Sequence, residues 1–481
     1  MAQNLIQRFG IDFGTTNSAT VGFSILGSES SRNQYGDDEG RPNPSVVAID
    51  RKTGEVMTGR EAWNKKVELS DSCEYVSSVK SILATGWKKK IAGKTWTAVD
   101  IAAEVFKGLK RKVRETSGQD LEEAVVAIPV GFSSEKREEV RKAAQQAGID
   151  VTGFISEPTA AFYANYSELQ ACTNVAVFDW GGGTLDVSVL KNENGKLYEL
   201  ATAGVNVAGD AIDDKLARRI HARLARKKNI KKAFEDMPHS AQDLLLVRTE
   251  KAKRTLSDSD DVTISMVAYG DFGPCRETID YDWFSEVITP EVDMAVNCLA
   301  KVIEESGVGL ANIDRIVMVG GSSNLRPLID RMQEIYGDAL YFPEETMWNV
   351  SVGAAMLALH PGAYHSNQSI GLVMSDGSYF ELLPVGADLT EWERKCSFGL
   401  TDTSQEARFV FDGSTDIRES PLKYRALNIP AYKFLQEKIR LTATVDEDLI
   451  FRVTAGSNMR PDSFGRIWEY PNLKCYYELR P

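Results

Sequence analysis

The sequence predicts an α/β body of two similar lobes followed by a small all-β domain. Three observations carry that prediction. A β-rich run ending in Asp, a Gly/Thr turn and a second β-rich run occur twice, at residues 11–18 (IDFGTTNS) and 178–186 (FDWGGGTLD). Around these copies, short apolar runs alternate with segments of helical periodicity, the pacing of strand–helix–strand units with parallel pairing. Past Pro361 the helical periodicity gives way to short β-type runs separated by turn residues.

The elements follow in order. Residues 5–26 alternate enough for two strands joined by a turn at 14–17, and 46–49 with 56–58 form a further hairpin around 52–54. Residues 100–116 place Ile101, Val105, Leu109 and Val113 at helical spacing and end near Gly118. The run 124–129 (AVVAIP) is a short strand, 134–146 a charged helix stopped by Gly148, and 151–155 a strand leading into 157–161 (EPTAA). Residues 175–190 repeat the opening hairpin; Leu185, Val187 and Val189 face one way, Asp186 and Ser188 the other. A charged helical region spans about 209–257, a buried strand 316–319 (IVMV) runs into 320–323 (GGSS), and a small-residue helix covers 351–359. Later β-type runs occupy 370–374, 379–384, 408–411, 439–445, 449–454 and 474–479, with turns at 375–377, 412–414 and 446–448. That spacing predicts a sandwich.

Composition narrows the function classes. A chain of 481 residues has room for two or three cores, and 43% apolar with 26% charged residues suits a soluble globular protein. The net charge of −13 argues against a broad surface for nucleic acid or anionic membrane. The basic run 218–232 reads as a solvated helix face. Six scattered cysteines without a C-x-x-C pair fit a reducing compartment rather than a zinc site or disulfide framework. The first residues lack a signal-peptide pattern, and no stretch approaches the roughly 18 apolar residues of a membrane span, so a cytoplasmic protein is expected.

The repeated turn carries the chemistry. Glycines let backbone N–H groups approach an anionic oxygen, and the strand-ending Asp offers a hard oxygen to a phosphate-bound cation. One copy alone could simply terminate a strand. Two copies facing each other would grip a polyphosphate from both sides, which makes a two-lobed, ATP-hydrolysing protein the leading reading. The sequence Gly93–Lys94–Thr95 mimics the end of a Walker A loop, but Gly86 stands at the wrong spacing and no buried strand precedes it. It reads as a hairpin turn.

Together these motifs resemble the actin/sugar-kinase/heat-shock ATPase superfamily, and most closely the heat-shock protein 70 (DnaK-type) chaperones, as a divergent, lidless member. The matching segments are IDFGTTNS, VKSIL around Lys80, AVVAIPVGFSSEKREEVRKAAQQAGI, ISEPTAAFYAN, FDWGGGTLDVSVL, EKAKRTLS and IVMVGGSS, over almost all of residues 5–360. The resemblance implies a duplicated actin-like (ribonuclease H-like) ATPase domain over residues 1–362. Residues 369–481 would form a β-sandwich similar to the family's peptide-binding domain. It implies ATP/ADP and Mg²⁺ as cofactors and hydrolysis of ATP to ADP and phosphate. Asp12 and Asp179 would hold the Mg²⁺ largely through waters. Gly14, Thr15, Thr16 and Asn17, with Gly181, Gly182, Gly183 and Thr184, would bind the phosphates. Lys80, Glu157, Asp179 and Thr184 form the implied catalytic set: Lys80 beside the γ-phosphate, Glu157 and Asp179 on the attacking water, and Thr184 on the γ-phosphate. Gly209 and Asp210 would reach the ribose; Glu250, Lys253, Arg254 and Ser257, on one helical face, would wall the adenosine. Gly320, Gly321 and Ser322 would close over the nucleoside.

Four departures from the family pattern stand out. No helical lid follows the β-domain before Pro481, and the connector 361–368 (PGAYHSNQ) lacks the Leu-rich, Asp-flanked run that docks on the ATPase lobe. Asn206 replaces a His and Ala208 a Gly. Asn324 stands where an Arg stacks on adenine, with Arg326 two residues on as its substitute. The expected function is a chaperone-like ATPase whose nucleotide state controls binding of a peptide or protein client by the β-domain. A J-domain co-chaperone and a nucleotide-exchange factor are the further partners the family implies, with neither nucleic acid nor membrane among them. The alternative is a nucleotide-gated scaffold that binds one dedicated folded partner. A sugar kinase would need a sugar-binding insertion, which the sequence does not display.

Overall fold

The computed structural model describes residues 6–26, 29–400, 403, 405–412, 425–433, 436–460, 466–471 and 473–479. The fold is mixed α/β with several sheets, divided into two compact units. The first comprises Met1–Gly131, Glu139–Asn192 and Glu199–Leu359; the second comprises Phe132–Glu138, Glu193–Tyr198 and His360–Pro481.

The duplication seen in the sequence is a duplication of topology within the first unit. The strand Ile6–Asp12 pairs antiparallel with Asn17–Leu26 on one side and parallel with Glu123–Ile128 on the other. Likewise Asn174–Trp180 pairs antiparallel with Leu185–Glu193 and parallel with Arg315–Val319. Each of these strands therefore lies inside its sheet, and its Asp emerges at the carboxyl end beside a parallel neighbour: Asp12 opposite Ala127, Asp179 opposite Val319. Flanking strands complete the pattern, Asp150–Ser156 beside the first trio and Leu340–Tyr341 beside the second. Strands buried on both faces read as near-continuous apolar runs, as in Val175–Phe178 and Ile316–Val319.

Local chemistry explains the helices. The helix Ala98–Ser117 begins at Thr97, whose hydroxyl accepts from Asp100 N while the Asp100 carboxylate accepts from Thr97 N. It ends at Gly118 in the left-handed region, and Ile101, Val105, Leu109 and Val113 are all buried. The residues Gly93–Lys94–Thr95 do sit at a hairpin, between strands Lys88–Ile91 and Lys94–Thr97. The small-residue helix Asn349–Leu359 has a packing reason. A Cβ on Gly353 would lie 1.8 Å from Ala160 O, and one on Gly10 would lie 2.1 Å from Ala355 N, so helix, sheet and the helix Glu157–Ala164 meet backbone to backbone. Two elements went unrecognised in the sequence: the hairpin Asp261–Met266 with Cys275–Asp280, and the helix Tyr281–Glu305 capped by Asp280.

The second unit holds two four-stranded antiparallel sheets around one core. Their orders are Tyr379–Leu383, Ile370–Val373, Glu406–Asp412, Arg425–Pro430 and Glu393–Gly399, Lys438–Val445, Phe451–Ser457, Arg466–Tyr470. Phe411 of one sheet stacks on Trp468 of the other, with centroids 4.0 Å apart. The run expected at 449–454 starts as a strand only at Phe451, because Asp446 accepts from Asp448 N and Ile450 N in a turn with Leu449 left-handed. The turn expected at 412–414 lies outside the described residues beyond Asp412.

The connector has structure of its own. Residues 361–368 contain a strand, Ala363–Ser366, paired antiparallel with Cys475–Glu478. The same Cys475–Glu478 strand pairs on its other side with Lys196–Tyr198. Ala363, His365 and Ser366 are buried, and the His365 ring stacks on Tyr476 with its Nε2 3.0 Å from Glu478 Oε2.

Two consequences are measurable. Gly353→Ala places a methyl against the Ala160 carbonyl and is expected to lower unfolding free energy by about 1–3 kcal/mol in denaturant titration. In the second unit, burial pushes the Glu437 carboxyl up, but hydrogen bonds from Ser457, Tyr432 N, Arg460 and Lys433 N outweigh it and bring it down to about 2. A folded-state value below the ordinary 4.5 adds stability that is complete above 4.5 and lost as pH falls toward 2. Acid titration followed by tryptophan fluorescence should show this loss in the parent and a shallower one in Glu437→Gln.

Candidate active site

The two Gly/Thr turns of the first unit touch. The first closes so tightly that a Cβ on Gly14 would lie 2.0 Å from Asn17 O. A Cβ on Gly182 would lie 2.3 Å from Thr16 Oγ1, and one on Gly183 would lie 2.5 Å from Thr15 Cγ2. Glycine at both positions is thus a condition for the turns to meet.

Further segments converge on the same point. Thr16 Oγ1 donates to Asp210 Oδ2 at 2.8 Å, and Asp210 N donates to Gly182 O at 2.7 Å. Gly209 N reaches Gly181 O at 3.3 Å, and Ser322 Oγ donates to the same carbonyl at 2.6 Å. Gly320 has a φ of +83°, and a Cβ there would fall 2.5 Å from Asp179 Oδ1. Gly321 begins the short helical turn that carries Ser322. Thr184 O accepts from Gly181 N at 3.0 Å, closing the second turn on itself.

Beside the turns lies a cluster of ionisable groups. The short helix Val79–Ile82 presents Lys80, whose Nζ donates to Glu157 Oε1 at 2.6 Å; both residues are buried. Glu157 opens the helix Glu157–Ala164, capped by Ser156 and with Pro158 in its first turn, which is the local reason for the run EPTAA. Burial pushes the Glu157 carboxyl up to about 7, with the charges of Asp12 and Asp186 adding to it and Lys80 opposing. Asp179 is raised well above the ordinary carboxylate range by desolvation and by Glu157, Asp12 and Asp186. Asp12 is raised by desolvation, with Lys80 opposing. Burial disfavours the Lys80 ammonium, but the charges of Glu157 and Asp12 outweigh it and raise its pKa.

Asp186 is the member that sequence reading missed. It stands directly opposite Asp179 in the hairpin register, and a Cβ on Gly204 would lie 2.8 Å from its Oδ1. The signal was present: two Asp residues bracket the second turn at equivalent ladder positions.

Four carboxyls share one ammonium here, an excess of negative charge that a cation would relieve. The donors are hard oxygens, which suit magnesium. Among the described residues no three Asp, Glu, His or Cys converge closely enough to hold a metal directly. The set therefore fits an ion that keeps its waters and takes phosphate oxygens, and does not fit an all-protein cage.

The expected adenosine wall is only partly assembled. Lys253 is buried and donates to Asp213 Oδ2 at 2.7 Å and to Gly209 O at 3.0 Å, so it braces the Gly209 turn. Burial lifts the Asp213 carboxyl to about 7 against the pull of Lys253. Glu250 and Arg254 pair with each other along the helix His239–Thr255 at 3.7 Å. Ser257 departs from the expectation of one four-residue helical face: the helix ends at Thr255, and Ser257 lies past its cap residue Leu256. Arg326 has partners of its own. As first residue of the helix Arg326–Tyr336 it lies 3.3 Å over the Tyr281 ring and donates to Asp260, while Asn324 donates to Thr346 Oγ1 at 2.9 Å.

The acidic cluster has a stability signature. The folded Glu157 value of about 7 lies above the ordinary 4.5, so the proton is held more tightly in the folded state and stability declines as pH rises from 4.5 to 7. Lys80→Met removes the balancing cation and should steepen that decline. Thermal melts are expected to show a loss of roughly 3 kcal/mol at about pH 8 and a smaller one at about pH 5.

Comparison with known proteins meets this geometry. Residues 83–372 match the family model for Hsp70 protein. The chain is similar to the chaperone protein DnaK of Thermosipho melanesiensis, 27% identical over 93% of this chain and 77% of that protein. It is similar also to the chaperone protein DnaK of Halobacterium salinarum, 28% identical over 93% of this chain and 72% of that protein. Twin glycine turns, a Lys–Glu pair beside them and a family match that covers the second turn, its parallel neighbour and more than half of the chain have one common explanation: the chain belongs to the Hsp70 family.

Proposed function

We propose that this chain binds magnesium ATP between its two Gly/Thr turns and hydrolyses it to ADP and phosphate. In this reading the first unit is the actin-like ATPase domain, and its nucleotide state controls how the second, a β-sandwich, holds a peptide or protein client. The observation that carries the proposal is the contact of Gly182 and Gly183 with Thr16 and Thr15 beside the Lys80–Glu157 pair. Backbone N–H groups at Gly14–Asn17 and Gly181–Thr184 would donate to the phosphates. Asp12 and Asp179 would hold Mg²⁺ through waters. When bound, magnesium triphosphate supplies the electrophilic phosphorus and a cation that offsets its charge.

The chain's own residues do the rest by position. Glu157, aligned by Lys80, and Asp179 orient the attacking water, and the Glu157 carboxyl near 7 accepts its proton at close to neutral pH. Lys80 offsets charge that grows on the transferred group, and Thr184 contacts the γ-phosphate. With Arg326 committed to Tyr281 and Asp260, adenine would rest on the Glu250–Arg254 pair and on Gly320–Ser322. A cytoplasmic location and recruitment of J-domain and exchange-factor partners belong to the same proposal.

A second reading, a nucleotide-gated scaffold for one folded partner, draws on the connector 361–368, which lacks the Leu-rich, Asp-flanked run and holds the paired strand Ala363–Ser366. ATP-dependent binding of generic unfolded peptide would argue against it. For the ATPase itself, turnover in Thr184→Ala and Asp179→Asn is expected to fall by roughly a hundredfold. Unchanged turnover in both would sink the residue assignment.

A further inference from the structure

Glu199 lies outside every motif described above. It belongs to the strand Lys196–Val205, on the face that also carries Ala201, Ala203 and Val205, three residues packed against the apolar core of the first unit. A carboxylate on that face needs a reason. Ser156, the cap residue of the helix Glu157–Ala164, donates its hydroxyl to Glu199 Oε1. Thr159 Oγ1 lies 3.5 Å from the same oxygen, and Thr159 N donates to Ser156 Oγ at 3.3 Å. Among the described residues, no basic side chain pairs with Glu199. Desolvation raises its carboxyl, and the Ser156 and Thr159 hydroxyls offset only part of the rise.

A cap serine ordinarily turns its hydroxyl freely. Here the hydroxyl is held between the Glu199 carboxylate and Thr159 Oγ1, 2.8 Å away, which keeps an oxygen lone pair aimed at the Thr159 N–H. The next residue is Glu157, whose Oε1 is 2.6 Å from Lys80 Nζ. We propose that Glu199 is a positioning residue: by fixing the Ser156 cap it holds the Glu157 carboxylate against Lys80, in the alignment that hydrolysis requires. This rests on the ATPase reading given above. Mere helix stabilisation is a weak rival, since an apolar residue would suit that core-facing position without withdrawing a carboxylate from water.

The test uses the full chain and follows ATP turnover, ATP binding and amide exchange. Glu199→Ala is expected to lower kcat roughly tenfold while the Kd for ATP changes by no more than about twofold. Glu199→Gln, which keeps an acceptor for Ser156, restores most of the rate, and the Thr159 amide exchanges faster in Glu199→Ala than in Glu199→Gln. The proposal is overturned by an unchanged kcat in Glu199→Ala, by equal losses in both variants, or by an unaltered Thr159 amide. Should Glu199→Ala fail to fold, Ser156→Ala breaks the same link with a smaller change and is read the same way. Glu157→Gln, measured alongside, separates the two levels. If it leaves turnover intact, the catalytic reading falls and the positioning role with it; if it abolishes turnover while Glu199→Ala does nothing, only the positioning role falls.

Discussion

One ammonium among four carboxyls is the constraint on which the first unit depends. Lys80 answers Glu157 directly and feels Asp12 and Asp186, and Asp179 is raised by the same group of charges. Such a cluster is costly in a folded chain lacking a bound cation, so the surroundings must hold each member against repulsion. They do so with rigid elements. Two Asp residues sit at the carboxyl ends of interior strands, one Asp faces its twin across a ladder, and Glu157 starts a capped helix. The helix Asn349–Leu359 then locks that capped helix to the first sheet through backbone contacts at Gly353 and Gly10.

The glycine turns express the same logic sterically. Their contact requires an absent Cβ at Gly182 and Gly183, and the hydrogen bonds of Thr16, Asp210 and Ser322 stitch neighbouring segments to the contact. Lys253 extends the bracing one layer outward by pinning Gly209 to Asp213. Side chains that look like ligand contacts in a linear pattern include some, such as Lys253, that brace the backbone around the turns.

What was legible in the sequence follows the range of the physics. The paired turns and the hairpin at Gly93 are written in adjacent residues, and local rules recover them; Glu157 was picked out by the family resemblance, and its place at a helix start came with the structure. The partners of Lys253 were not legible because Asp213 lies far upstream, nor those of Arg326, because Asp260 and Tyr281 are brought to it only by tertiary packing. Ser257 was placed on a helix that ends at Thr255, two residues before it. The strand Ala363–Ser366 looked like a linker because its partner comes more than a hundred residues later, near the chain's far end. Glu199 left no trace, since a lone Glu in a strand is ordinary until its face is known.

The Cys475–Glu478 strand has a practical implication for anyone dissecting the molecule. It is flanked by Ala363–Ser366 on one side and by Lys196–Tyr198 on the other, and all three belong to the second unit. Severing the polypeptide after Leu359 would thus not cleanly excise that unit; it would strand three internal residues with an open ladder edge, inviting non-native pairing between fragments. The two halves are interleaved along the backbone, so gene fragments meant to isolate either one have to respect Phe132–Glu138 and Glu193–Tyr198 as borrowed pieces.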